Sequence, residues 1–499
     1  MQNILARWAY RYPIKTRRFL EILPGFVSWS LILFPIWGSL LVPTIVAYYI
    51  IAFAVYWFYR SASVAVLAVI GHFRLRAAER FDWLGDVKTF PGWKKVKHVI
   101  LVPTYKEPVT TLVRLLSAIE EQTFPLQNIH VVMSFEEREG EAAEEKRKTL
   151  TRQFGKSFGS FLTTMHPDIA GEVKGKSANT SWAARFAKLK LVDERGLDPK
   201  FMTVTNADAD SILHPSYLAA LTYQFLDHPN RYRRIWQPAV VFYNNIWKVP
   251  APIRVLASVW SVVHLYVLMR QGVLINFSTY STSMQMIIDI GFWDTDVIPE
   301  DFRLFFKSFF HFKGDLEVEP IFLPVKQDAP QSTSYFRTLI NQYEQVKRWA
   351  WGVVDNPYIV VRFLTVPEVP FWKKTVYLWQ FVQTHFLWPV NWFAITVGAF
   401  FPPLLNPVFA RTTLGKTLPQ VSSAILTISL VSLVAVWIVH VRQRPKAAGE
   451  MSVLRQLLTP VELLLLPVLG FFFSALPGLD AHTRLMLGRY IEYRVTEKV

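Results

Sequence analysis

The 499-residue chain contains no cysteine, which excludes disulfides and thiolate-ligated metal centres. Acidic residues are scarce, 38 Asp and Glu against 54 Lys and Arg, for a formal net charge of +16. That balance is compatible with nucleic-acid binding, but no groove-reading or base-stacking module is present, so nucleic acid is not expected as a partner. Internal repeats and low-complexity tracts are absent as well. The basic N-terminus lacks a short apolar run with a small-residue cleavage site, so no signal peptide is expected.

Apolar residues are what the chain has in excess. Hydrophobic residues make up 52% and aromatics 15%, with 18 tryptophans, a composition that points to membrane spans with aromatic belts. A bilayer crossing needs about 20 apolar residues. Two such runs lie back to back at 24–41 and 42–59, the first opening PGFVSWSLILF and the second VPTIVAYYIIA. Arg7, Arg11, Lys15, Arg17 and Arg18 precede the pair; Arg60, Arg74, Arg76 and Arg80 follow it. Cytoplasmic loops collect Lys and Arg, so cations on both sides of a two-span hairpin place both flanks in the cytoplasm. Three more runs fall at about 376–400, 420–440 and 460–479. The 442–458 loop carries Arg442, Arg444, Lys446 and Arg455 and is expected to be cytoplasmic; the 402–419 connection carries only Arg411 and Lys416. Pro467 and Pro477 interrupt the last run, and a full crossing there would put the basic tail on the wrong side, so a re-entrant or interfacial course is an equal alternative.

Residues 88–370 read differently. Short β-rich stretches (VKHVILVPTY, NIHVVMSFEE, KFMTVTNAD) alternate with amphipathic helical ones (VTTLVRLLSAIEEQ, SANTSWAARFAKLKLVDERG), the pattern of parallel βαβ units. The organisation expected is an α/β, Rossmann-type cytoplasmic domain at 88–370. It is inserted between a basic segment with a transmembrane hairpin, 1–87, and a C-terminal transmembrane region with a basic tail, 371–499. Open α/β sheets bind ligands beyond the carboxyl ends of their strands. Three strands here deliver polar residues to that position: Thr104, Tyr105 and Glu107 from the first, Glu136 from the second, Asp208 and Asp210 from a later one. Side chains at i and i+2 of extended chain share a face about 7 Å apart, which suits one carboxylate on a hard cation and the other on a hydroxyl or bound water. Magnesium and manganese take oxygen ligands and keep waters and substrate phosphates in their other positions. By itself an Asp-x-Asp is most often a solvated turn.

Two further clusters add weight. GFWDTDVIPEDFRLF puts Glu300 and Asp301 ahead of a helical stretch, where acids also sit for the helix dipole alone. LINQYEQVKRWAWG carries Gln345, Arg348 and Trp349; at helical spacing Gln345 and Trp349 share a face, and the same rings would also suit a helix at a membrane interface.

In order, VPTYKEP, the acid Glu136 after the second strand, Asp-Ala-Asp at 208–210, Glu-Asp at 300–301 and Gln-x-x-Arg-Trp at 345–349 resemble the membrane-embedded family 2 glycosyltransferases. That family includes the cellulose, hyaluronan and chitin synthases, and the match covers residues 95–355. The resemblance implies a GT-A-like fold for the inserted domain and an integral protein of the plasma (inner) membrane. It implies transfer of a sugar, with inversion, from a nucleotide-sugar donor to a glycan or lipid-linked acceptor, with Mg2+ or Mn2+ as cofactor. Processive polysaccharide synthesis is the first expectation; the alternatives are addition of a single sugar, and a transporter or structural membrane protein with a degenerate transferase domain. Residue by residue, it puts Thr104, Tyr105 and Glu107 at the nucleotide pocket and Glu136, where the family usually has Asp, at the base. Lys176 and Asn179, in KGKSANTSW, fall beside the donor diphosphate. Asp208 falls at the ribose or a metal-bound water, Asp210 on the metal, Asp301 as general base with Glu300 its neighbour. Gln345, Arg348 and Trp349 line the acceptor and diphosphate side. Two more positions depart from the family: Lys106, where Asn is common, and Gly291–Phe292, where Gly-Gly is frequent.

Overall fold

Apolar runs too short for a helix build the first of two units. A computed structural model of the protein describes residues 4–446, 459 and 461–492, and within it Gly71–Val249 and Val267–Ser334 form one compact unit. Its strands are β1 (Lys97–Pro103), β2 (Ile129–Glu136), β3 (Ser160–His166), β4 (Met202–Asn206), β5 (Ile212–Leu213), β6 (Arg234–Val241), β7 (Tyr280–Ser283) and β8 (Glu317–Lys326). They make an eight-stranded sheet in the order β3-β2-β1-β4-β7-β6-β8-β5. β3, β2, β1 and β4 run parallel; β7 is antiparallel to both β4 and β6; β8 is parallel to β6 and antiparallel to β5. β1 and β2 are buried at nearly every position, because parallel strands are covered on both faces and so read as continuous apolar runs.

From β1 the chain winds outward through β2 to β3, then returns to β4 on the other side of β1. At that reversal the carboxyl ends of β1 and β4 flank the crevice in which open α/β sheets hold ligands. The helix after β1, Val109–Glu120, buries Leu112, Leu115, Leu116 and Ile119 completely, the one-face spacing of an amphipathic helix. The helix Lys176–Ala187 has another means of contact. Its buried residues are almost all small, among them Ser177, Ala178, Ser181, Ala183 and Ala184, so its backbone lies close against β1 and β2 and its first turn reaches the crevice.

The other unit gathers Met1–Ile70, Pro250–Tyr266 and Tyr335–Ile491. Among the described residues, five helical stretches are long and apolar enough to cross a membrane: Pro13–Leu41, Pro43–Arg80, Ala251–Leu268, Thr413–Gln443 and Glu462–Met486. Large apolar side chains such as Phe26, Leu41, Tyr48 and Val431 remain more than half exposed on them, a surface that suits lipid and not water. Two differences from the sequence expectation stand out. The run at 376–400 is broken into Phe371–His385, Trp388–Thr396 and a short turn, since Pro389 favours starting a new helix over continuing the old one. Conversely, Ala251–Leu268 is a long apolar helix inside the stretch read as free of them, and most of it is buried; Arg254 and His264 had diluted its apolar signal. The interrupted last run is continuous helix with a π-helical turn at Phe471–Ala475, and Pro467 and Pro477 each open a fresh α-helical segment. Arg455 and most of the 442–458 loop lie outside the described residues.

A polar clasp ties the first of these helices to the last. Glu21 is buried, and its carboxylate receives Arg17 at 2.9 Å, Arg18 at 3.3 Å and the Tyr490 hydroxyl at 2.8 Å. Arg18 also donates to the Leu485 carbonyl at 2.8 Å, and Ser28 bonds His482 at 2.9 Å. One turn on from Glu21, Gly25 lets the helices touch: a Cβ there would fall 2.7 Å from both the His482 carbonyl oxygen and Met486 Cβ. Gly25→Ala should therefore destabilise the protein by about 1–3 kcal/mol through overpacking. Thermal unfolding in detergent checks this, with the exposed Phe26→Ala as a control expected to stay within about 0.5 kcal/mol.

Candidate active site

Charge gathers at the crevice. Lys176, the first residue of its helix, places its ammonium 2.5 Å from Asp208 Oδ1 and 2.7 Å from Glu300 Oε1, and donates to the Ser278 carbonyl at 3.2 Å. Asp208 follows β4; its Oδ2 accepts from Ser278 Oγ at 2.5 Å and from Gln327 Nε2 at 2.9 Å. Asp301 stands in the first turn of Glu300–His311. Its Oδ2 accepts from the Ser278 backbone N–H at 3.1 Å and its Oδ1 from the Phe302 N–H at 2.8 Å. Thus Lys176, Asp208, Glu300 and Asp301, from three distant parts of the sequence, share one network.

The electrostatics follow from burial. Desolvation alone would lower the Lys176 pKa, but attraction by Asp208 and then Glu300 outweighs it and holds the ammonium well above its ordinary value. Burial pushes the Glu300 carboxyl up to about 7, against the pull of Lys176 and with help from the neighbouring Asp301 charge. Burial also raises Asp301, while Lys176 and the two backbone N–H groups restrain the rise. A buried carboxylate raised in this way is a stronger base than a solvated one.

Asp210 turns toward the end of β8. Its Oδ2 accepts the Asp328 N–H at 2.8 Å, so the Gln327–Asp328 dipeptide holds both aspartates, one through a side chain and one through the backbone. Among the described residues no three His, Asp or Glu side chains are grouped as ready-made metal ligands. Two oxygen-donor carboxylates beside a diphosphate would nevertheless suit a hard divalent cation, which can draw its other ligands from phosphate and water. Lys176, itself a cation on Asp208 and Glu300, marks where positive charge is favoured.

The remaining predicted residues fall in three places. At the end of β1, Glu107 accepts from the Thr104 hydroxyl at 2.8 Å and the Tyr105 N–H at 2.5 Å, so it holds the turn that presents Tyr105. At the end of β2, Glu136 pairs with Arg138, and Asn179 anchors its helix there by donating to the Ser134 carbonyl at 3.1 Å. Gln345, Arg348 and Trp349 lie on the helix Tyr335–Ala350 of the other unit, with Gln345 buried and Trp349 edge-on to Trp260 at 5.5 Å.

Two of the three sequence departures coincide with unusual backbone. Lys106 has φ of 67° and Phe292 of 67°, a left-handed conformation that Asn and Gly adopt at least cost. Phe292 is held there by Arg185 over its ring at 4.5 Å and by Lys307 on its carbonyl at 2.8 Å. Ser278 is the third such residue near the site, with φ of 56°. Ser278 and Gln327 were absent from the sequence prediction although both touch Asp208; the polar pair after β8, in PVKQDAP, was the available signal.

No protein-family model matches the chain, and no curated protein matches it. Among solved structures it is similar to a mannosyltransferase from Pyrobaculum calidifontis in complex with GDP-Man and Mn2+, at 14% identity, 88% coverage of this chain and 99% of that one, TM-score 0.42. It is also similar to TarS 1–349 from S. aureus in complex with UDP, at 11% identity, 72% and 95% coverage, TM-score 0.36. The same protein in complex with UDP-GlcNAc gives 10% identity, 68% and 91% coverage, and again 0.36.

Because Lys176 neutralises two carboxylates out of water, Lys176→Met should cost about 3–5 kcal/mol of stability. Adding Glu300→Gln should recover part of that loss, and thermal unfolding of the single and double variants measures both.

Proposed function

We propose that this protein is a membrane glycosyltransferase that moves a sugar from a nucleotide-sugar donor to a glycan acceptor with inversion, and does so processively. The supporting observation is the convergence of Lys176, Asp208, Glu300 and Asp301 at the carboxyl-end crevice. Sugar transfer breaks the anomeric C–O bond, leaves new negative charge on a diphosphate, and requires an acceptor hydroxyl to lose its proton. Lys176 supplies a fixed positive charge for the first demand, and a preorganised cation in a water-poor site is worth far more than one in solution. Asp301 meets the second: its raised basicity lets it accept the proton as C–O cleavage proceeds, while Ser278 and Phe302 fix its orientation. A single displacement inverts the anomeric centre.

Asp210 with Asp208 would hold a divalent cation, which when bound stabilises the leaving diphosphate as a Lewis acid. Asp208 would also meet the donor ribose, and Tyr105 and Asn179 the nucleotide. On the sequence resemblance we assign the acceptor to Gln345, Arg348 and Trp349; aromatic faces such as Trp349 stack well on sugars. The apolar helices would anchor the enzyme with its transferase unit in the cytoplasm, where nucleotide sugars are made.

Purified protein in detergent, offered a panel of sugar nucleotides with Mn2+ or Mg2+, should release nucleoside diphosphate from at least one of them. Asp301→Asn should lower that rate by about 10²–10⁴-fold, and full activity in this variant would remove Asp301 as the base. Radiolabelled donor should enter high-mass product; a single addition would refute processivity and leave transfer intact. As pH falls through about 7, Glu300 takes up a proton and loosens its hold on Lys176. The kcat/KM profile should therefore decline on its acid side with an apparent pKa near 7, and Glu300→Gln should move that limb to lower pH.

A further inference from the structure

Asp210 is held from outside the crevice by contacts that begin on another element. Its Oδ2 accepts the Asp328 backbone N–H at 2.8 Å. The Asp328 side chain is buried, and its Oδ2 receives Arg114 Nη2 at 2.5 Å. Its Oδ1 is buried with no hydrogen-bond partner, which leaves Arg114 as the one hydrogen-bond partner of that carboxylate among the described residues. Arg114 lies on the helix Val109–Glu120, after the turn that Glu107 holds at the end of β1; Asp328 follows β8. The ion pair thus ties the two halves of the sheet together through the residue whose N–H meets Asp210. As a source of stability it is a poor choice, since a half-exposed arginine gains little and a buried carboxylate pays for desolvation. Its effect on position is larger. The peptide that carries the N–H is otherwise steadied by Asn244, whose backbone N–H reaches the Gln327 carbonyl at 3.2 Å and whose Nδ2 reaches the Asp210 carbonyl at 3.2 Å. Both are long and neutral, whereas the Arg114 contact is short and charge-assisted, the stronger kind.

We propose that Arg114 and Asp328 are positioning residues for the divalent cation: their ion pair sets the angle at which the Asp328 N–H meets Asp210, and so the direction in which Asp210 offers its carboxylate to the ion. The inference rests on the function proposed above for the presence of a cation at Asp208 and Asp210. Neither Arg114 nor the Asp328 carboxylate ligates the ion; partners of this outer kind orient a ligand and account for about 10–100-fold in metal affinity. Gln327, one residue before Asp328, holds Asp208 through its side chain at 2.9 Å, so a lock on Asp328 also steadies the spacing of the two carboxylates. Mg2+ demands near-octahedral geometry and Ca2+ tolerates an irregular shell. Loosening the lock therefore penalises Mg2+ more than Ca2+.

The test is Mn2+ binding to the full-length protein in detergent, followed by loss of the free-ion electron paramagnetic resonance signal, with Mg2+ and Ca2+ as competitors. Asp210→Asn sets the background. Arg114→Met and Asp328→Asn should each weaken Mn2+ by about 10–100-fold and lower Mg2+ competition more than Ca2+ competition. Arg114→Lys, which keeps a cation on Asp328, should recover part of the loss. Arg147→Met, which breaks an ion pair with Glu144 on the helix Glu141–Phe154, should change nothing. In the transfer assay the lost affinity should appear as a raised Mn2+ requirement, with kcat restored at saturating Mn2+. Circular dichroism checks the folding of each variant, and if Asp328→Asn fails to fold, Arg114→Met against Arg114→Lys decides. Unchanged Mn2+ affinity in the folded variants, or no Mn2+ binding by the wild type, overturns the proposal. Tighter binding by Arg114→Met overturns it too, since Asp328 would then act through charge alone. Mn2+ binding that depends on Arg114 without sugar transfer leaves the proposal standing and removes the transferase function; transfer with a Mn2+ affinity indifferent to Arg114 and Asp328 does the reverse.

Discussion

One ammonium group holds the crevice together. Without Lys176, Asp208, Glu300 and Asp301 would present three negative charges within a small, largely buried volume, and burial disfavours even one. With it, two of them are paired directly at 2.5 and 2.7 Å and the third is held to the same Ser278 by a backbone N–H. The position of that ammonium depends in turn on a helix of small residues. Only a helix lined by Ala and Ser lies near enough to β1 and β2 for its first turn to reach the ends of the strands.

The site also concentrates backbone strain. Lys106, Ser278 and Phe292 adopt left-handed conformations that cost non-glycine residues of order 1–3 kcal/mol each and persist only where surrounding contacts enforce them. Each is so enforced, by the Glu107 carboxylate beside Lys106, by Asp208, Asp301 and Lys176 around Ser278, and by Arg185 and Lys307 on Phe292. The strain keeps donors aimed at carboxylates, which is the preorganisation that charge-stabilising chemistry requires.

Much of the parallel half of the sheet was legible in the sequence, because β1, β2 and β4 are short apolar runs ending in polar residues at the crevice. The antiparallel half was not. Ser278 precedes β7, and an antiparallel strand brings its amino end to the crevice, so a search of strand carboxyl ends passes it by. Gln327 follows β8, whose sequence EVEPIFLPVK contains two prolines that ordinarily argue against a sheet interior; a register shift in its pairing with β6 at Pro238/Ala239 accommodates the irregularity. Glu107 reads as a ligand because it is an acid near a strand end, and its bonds to the Thr104 hydroxyl and the Tyr105 N–H give it a second task, holding a turn, that the sequence alone does not reveal. The helix break at 386–387 and the long helix at 251–268 escaped for a related reason: hydropathy counts apolar residues, and where Pro, Arg or His falls within a run decides its continuity and depth.

The clasp at Glu21 has a consequence for how the chain is made. Its partner Tyr490 lies 469 residues further on, an interval of roughly 20–90 s at about 5–20 residues per second of synthesis. Throughout that interval the nascent helix Pro13–Leu41 carries a carboxylate destined for burial with Arg17 and Arg18, four and three residues away, to balance it. The final arrangement of that helix is therefore fixed only after Tyr490 has been synthesised.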